Sequence, residues 1–133
     1  MAQSGRFGLS LRVLAHLAHA PDRMHTSAAI AAAVKTSPVM VRRIFPPLHK
    51  AGFIVQRKGP QGGAQLKAAP KAIGFGDVFA AVGGAWPSVG EKAADGLLQR
   101  ARADAIAAMN ETTIASLIKR MKKAETTPTQ AAK

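Results

Sequence analysis

The stretch KTSPVMVRRIF, residues 35–45, decides how the rest of the chain is read. Ser37 followed by Pro38 is a helix start. The hydroxyl accepts from a free N–H of the first turn, and proline fits the first helical position, where its missing donor is not needed. Val41, Ile44 and Phe45 recur at helical spacing, and Leu48 extends the same apolar face. Arg42 and Arg43 project from the other side, where adjacent arginines suit bidentate contacts to guanine edges or to phosphates. The plainer alternative is solvated charge. Upstream, Thr26 or Ser27 can cap a short helix, AAIAAAV at 28–34, and only Lys35 and Thr36 stand between the two helices. Two short helices across so tight a turn predict a helix-turn-helix, its second helix free to enter a major groove. Pro46 and Pro47 each remove a helical donor, so a kink or break is expected there.

Beyond KAG at 50–52, which closes that helix, FIVQRK at 53–58 is β-branched and alternating, and AQLKA at 64–68 alternates weakly. Between them lies a cluster of three glycines and a proline. A phosphate-cradling loop would need a following Gly-Lys-Ser/Thr and a helix, and a dinucleotide loop needs a βαβ context. Neither is present. The remaining reading is a β-hairpin whose flexible tip is flanked by Arg57 and Lys58 and free of carboxylates, a wing able to track a backbone or enter a minor groove.

Working outward, Phe7, Leu11, Leu14, Leu17 and Ala18 mark an amphipathic N-terminal helix ended by Pro21 and Asp22. His16 and His19 lie one turn apart on it. That spacing can bind a metal, but no third ligand is evident, which favours a structural or surface role. IGFGDVFAAV at 73–82 reads as a short helix burying Val78, Phe79 and Val82 and stopped by Gly83 and Gly84. Residues 85–96 read as a linker, in which the lone Trp86 is more often an anchor than a stacking platform. From 97 to 124 neither proline nor glycine interrupts a helical pattern, with Leu98, Ala105, Met109, Leu117 and Met121 in its apolar stripe. So long a helix on so small a body predicts a partner helix from a second copy; folding back on its own domain is the alternative. Residues 125–133 read as a disordered tail.

Charge supports the same picture. The 133 residues hold 19 Lys and Arg against 7 Asp and Glu, and no carboxylate falls between Asp22 and Asp77, where nine of those cations lie. A solubilising surface mixes both signs, whereas a one-signed one suits a polyanion, whose condensed counterions are released on binding. There is no cysteine, which removes disulfides, thiolate metal sites and cysteine nucleophiles together. No signal peptide or membrane span is evident, so a cytoplasmic location is expected. Carboxylates are few and scattered and no nucleophile stands near a base, so an enzyme is not expected.

The order GRF…LRVLAHLA, helix-turn-helix, KAGFIVQRKGPQGGAQL and AIGFGDVFAAVGG resembles the winged-helix regulators typified by IscR, NsrR and CymR, the Rrf-two family. The most specific pieces are the wing stretch and the Ile-x-x-x-Asp-Val-x-x-Ala-Val pattern at Ile73, Asp77, Val78, Ala81 and Val82. The resemblance implies a mainly α fold with a small β-hairpin: a winged helix-turn-helix domain over 1–84, a linker or sensor loop over 85–96, and a long dimerisation helix over 97–124. It also implies a homodimer on a pseudo-palindromic operator. Ser37, Val39 and Arg42 match positions that face bases, and Lys58 stands where the family's wing arginine enters the minor groove. Family members that sense through an iron–sulfur cluster carry three cysteines where this chain has none, so no cofactor is expected and the resemblance is to the cluster-free branch. The expected function is a dimeric regulator, most simply a repressor, of double-stranded DNA. Bases are read by Ser37, Val39, Arg42 and Arg43, the wing contacts come from Arg57, Lys58, Gly59, Gln61 and Gly62, and Thr26, Ser27 and Thr36 touch the backbone. Trp86 marks the expected site of action of an unidentified small-molecule or redox effector. The competing reading is a winged-helix module docking on an acidic protein.

Overall fold

A computed structural model describes residues 2–60, 62–83 and 86–125; the expectations for Gln61, Gly84, Ala85 and the tail beyond residue 125 fall outside them. In chain order the elements are α1 (Ala2–Ala18), α2 (Ser27–Val34), α3 (Pro38–Lys50), β1 (Ile54–Arg57), β2 (Gly63–Leu66), a 3-10 turn at Pro70–Ala72, α4 (Phe75–Val82), α5 (Lys92–Met109) and α6 (Ile114–Glu125). The fold is mainly helical, with one antiparallel hairpin pairing Ile54 with Leu66 through Arg57 with Gly63.

The core is aliphatic. Leu14 and Leu17 of α1, Ile30 of α2, and Val41, Ile44, Phe45 and Leu48 of α3 are almost wholly buried, together with Ile54, Ile73, Val78 and Ile114. This is the stripe expected on α3, and its burial supplies most of the driving force that holds the three helices at fixed angles. In α4, Val78 and Val82 are buried as expected, while Phe79 is only half-buried. The wing is fastened to the body by His25, whose N–H donates to the Ala64 carbonyl at 2.8 Å and whose own carbonyl accepts from the Ala64 N–H at 2.9 Å.

Two sequence-based expectations are corrected. First, α3 does not break at Pro46 and Pro47 but runs to Lys50. The two prolines deprive only the carbonyls of Arg42 and Arg43, residues exposed to solvent, while burial of Phe45 and Leu48 on the opposite face holds the backbone helical. Secondly, the helical pattern from 97 to 124 is not one helix. Helix α5 starts earlier, at Lys92, capped by the Glu91 carboxylate on the N–H groups of Ala93 and Ala94, and it ends at Met109. A turn over 110–113 follows, and α6 folds back against α1 and the 3-10 turn. Ile114 is fully buried and Leu117 and Ile118 pack on the core, so burial on its own domain ends the straight run.

Candidate nucleic-acid interface

The N-terminus of α2, Arg42 and Phe45 of α3, and the wing meet around one cleft of about 480 Å³. Helix α2 begins beneath it because the Thr26 hydroxyl accepts from the Ala29 N–H at 3.1 Å, and Ser37 caps α3 through the Met40 N–H at 3.2 Å. Each capping hydroxyl uses a lone pair in this way and keeps its O–H to donate outward, which suits a phosphate oxygen. The positive ends of both helix dipoles add to that preference. Lys35 links the helices in a left-handed conformation, φ 59°, which makes the turn tight enough to bring α3 up directly after α2.

Arg42 is not a loosely solvated charge. Its Nη1 donates to the Ser27 hydroxyl at 3.1 Å, tying the reading helix to the start of α2 and presenting the rest of the guanidinium at the cleft. Arg43 turns away from this bond and lies over the Met40 sulfur, 3.9 Å from Nη1. Val39 and Met40 are exposed near the start of α3, 49% and 39% respectively, a rare position for large apolar side chains and one suited to a thymine methyl. Thr36 is half-buried, and its N–H is held by the Ala31 carbonyl at 2.9 Å.

On the opposite wall stand Arg57, Lys58 and Gly59, all exposed. The wing tip is shaped by the Gly62 N–H donating to the Gly59 carbonyl at 3.0 Å and by positive φ at Gly59 and Gly63. Gly62 is buried, and a side chain there would run into the Arg57 carbonyl, so it shapes the tip from within. Gln56 and Pro60 also line the cleft and were missed. Their signal was adjacency to Arg57 and Gly59 in the ribbon, which only the strand pairing makes meaningful. None of the residues lining the cleft is acidic. The structure therefore gathers Thr26, Ser27, Arg42, Arg57, Lys58, Gly59 and Gly62 around one concavity, with Thr36, Ser37, Val39 and Arg43 at the turn and on α3.

The residues expected at a dimer contact are dispersed. Leu98, Ala105 and Met109 lie half-buried on α5; Leu117 packs on its own core, and Met121 borders a second cavity beside α1. Trp86 anchors the segment before α5: its indole N–H donates to the Leu98 carbonyl at 2.6 Å, and its ring meets Phe79 edge-on at 6.5 Å. Phe79 in turn meets Phe7 edge-on at 5.6 Å and carries the Arg102 guanidinium 5.7 Å above its ring centre.

Among the described residues no helix is long and apolar enough to cross a membrane. The Rrf2 family, described as iron-dependent transcriptional regulators, matches residues 3–120. No curated protein matches the sequence. Among solved structures, CymR (YrzC), the global cysteine regulator of B. subtilis, superposes with a TM-score of 0.66 at 24% identity, covering 86% of this chain and 94% of the other. IscR of T. potens gives 0.68 at 19% identity over 90% and 87%, and CymR of Staphylococcus aureus 0.62 at 26% over 89% and 96%. The iron in the family description finds no thiolate here, since the chain has no cysteine. Among the described residues no group of three or more His, Cys, Asp and Glu side chains is placed to hold a metal. Asp95, in the segment concerned, instead accepts from the Ser88 hydroxyl and from the N–H groups of Val89 and Gly90. The residues present do not fit an iron–sulfur site.

Proposed function

The chain belongs to the Rrf2 family of DNA-binding transcriptional regulators, and on that premise we propose that it is a cluster-free repressor acting as a homodimer on a pseudo-palindromic operator. The observation that carries this reading is the Arg42–Ser27 bond at the acid-free cleft between α3 and the wing. It pre-orients a forked cation at the start of the reading helix, lowering the side-chain entropy lost on contact with a base edge. Ser37, Val39, Arg42 and Arg43 read the major groove, Arg57, Lys58 and Gly59 take the adjacent groove, and Thr26, Ser27 and Thr36 hold phosphates. Lys58 contributes charge without a planar fork, so wing readout is shared with Arg57. A signal acts where Trp86 joins Phe79 to the start of α5, by changing the separation of the two reading heads.

Footprinting the purified protein on DNA around its own gene tests the proposal. A protected inverted repeat is expected, with affinity falling steeply as salt rises. Arg42→Ala should cost roughly 1–3 kcal/mol on the protected site and far less on random duplex. Equal losses on both would remove base reading from Arg42, and no protection at low salt would remove the function.

A further inference from the structure

Arg12 and His16 stand along one side of α1, one helical turn apart, and His19 follows in the turn just after the helix ends. These three, Lys35 from the helix-turn-helix turn and Met121 from α6 border a cavity of about 240 Å³, and none of its lining residues is acidic. The cations are held by structure. Arg12 Nη1 donates to the Val34 carbonyl at 2.8 Å, which caps the C-terminal end of α2 and engages one of five guanidinium donors. Lys35 is the one non-glycine among the described residues with a positive φ. A side chain in that conformation is unfavourable relative to the right-handed one. The position favours glycine or asparagine, yet a lysine occupies it at the rim of a cationic cavity. The free carbonyls at the end of α2 oppose an anion with about half a negative charge, less than the two permanent cations Arg12 and Lys35 provide.

We propose that this cavity binds a small multiply charged anion, phosphate- or dicarboxylate-bearing, and that its occupation acts on the helix-turn-helix through Lys35. The volume equals the liquid share of about eight waters, enough for such an ion. Met121 lets α6 feel the occupant as well, so the site touches the first helix, the turn and the C-terminal helix together. Protonation is coupled to binding. The His16 pKa is lowered first by burial and then by His25, His19 and Arg23, and Arg12 and Lys35 line the same cavity. A bound anion opposes those positive charges and favours the imidazolium, so affinity falls as pH rises through the histidine range. The site itself stands apart from DNA binding; only its regulatory consequence rests on that reading.

The test is an NMR titration of the full chain with inorganic phosphate, and in parallel with succinate, at ionic strength held constant by sodium chloride. Saturable movement of the His16 and His19 ring signals is expected, with the Gly59 amide of the wing unmoved. Saturation by phosphate alone or by succinate alone identifies the anion class. Lys35→Gly keeps the left-handed turn and should weaken binding about tenfold, the order expected for one charge-assisted contact; His19→Gln, an exposed change, should weaken it too, and Lys71→Gln should not. Shifts that follow ionic strength alone, that move Gly59 equally, or that survive Lys35→Gly overturn the site. With the protected operator as probe, saturating anion should change DNA affinity in the parent and not in Lys35→Gly. If operator DNA expels the anion and Lys35→Gly weakens both equally, the cavity is a phosphate subsite of the DNA face and the proposal fails. Absence of any DNA binding would sink the functional reading and leave the titration intact.

Discussion

Gly63 and Gly59 look alike in the sequence and differ in what surrounds them. At Gly63, φ is 143° and a side chain would meet the His25 carbonyl, the group that fastens the wing to the body. At Gly59, φ is 102° and nothing lies near. Gly63→Ala should therefore cost at least about 3 kcal/mol, from strained backbone added to a forced separation of His25 from Ala64. Gly59→Ala carries only the backbone penalty, about 1 kcal/mol. Urea denaturation midpoints check the contrast, and equal shifts would show that the His25–Ala64 pair does not hold the wing. The glycine cluster was legible as a hairpin tip because turn chemistry is local. The pressure on Gly63 was not, because its neighbour comes from a distant turn that only the folded core brings close. Ser37 is the opposite case: its cap was readable from two adjacent residues, and Ser37→Ala should cost about 1 kcal/mol.

Elements were legible where the local pattern and the burial agree, and illegible where a long-range contact settles the outcome. Pro46 and Pro47 argue for a break by local chemistry, but the buried Phe45 and Leu48 outweigh two lost donors on an exposed face. The reverse happens at Asn110. Nothing in the run DAIAAMNETTIAS, residues 104–116, stops a helix by local pattern, yet the chain turns there because the Asn110 amide caps α4 from outside. Its oxygen accepts from the Asp77 N–H at 2.9 Å, and its N–H donates to the Asp77 carboxylate at 3.1 Å. Backbone bonds from Phe75 to Thr112 and from Ile114 to Ile73 close the junction. Asn110→Ala should lower stability by about 1–2 kcal/mol, as loss of a cap does, and loosen α6 from α1. Hydrogen exchange at Ile114 and Leu117 would show it, and unchanged protection would refute the cap. The segment before α5 is held by a carboxylate instead. Asp95 has its pKa lowered chiefly by the Val89 N–H, with help from Ser88 and Gly90. A depressed folded pKa means that its stabilising effect is complete at neutral pH and is lost as pH falls through the carboxylate range. Protection factors at the Val89 and Gly90 amides, taken relative to the intrinsic exchange rate at each pH, should fall on acidification, and Asp95→Asn should lower them at neutral pH.

For the molecule as a whole, α5 is the helix that leaves most of its length exposed among the described residues. None of its residues is buried, and Leu97 is 66% exposed. It spans about 27 Å at 1.5 Å per residue, long enough to cross a symmetry-related copy of itself. Where α5 meets α4, Gly76 allows close approach, since a side chain there would meet the Ile106 carbonyl. The outward face carries Leu97, Ala101 and Ala108, small or apolar groups that admit another helix closely. The apolar stripe led to the expectation of a partner helix, whereas its Leu117 packs against the core of its own domain, a contact that the stripe alone does not reveal. Leu97→Asp and Leu117→Asp therefore separate the two roles. Leu97→Asp should leave the fold and its melting cooperativity intact, convert a dimer to a monomer by sedimentation, and weaken operator binding by about 100-fold or more, since two linked half-site contacts become independent. Leu117→Asp should instead unfold the chain, by placing a charge against the core. A dimer that survives Leu97→Asp would move the symmetry contact off α5, and a parent protein that sediments as a monomer at micromolar concentration would leave each reading head to bind alone, too weakly to select an operator among genomic competitors.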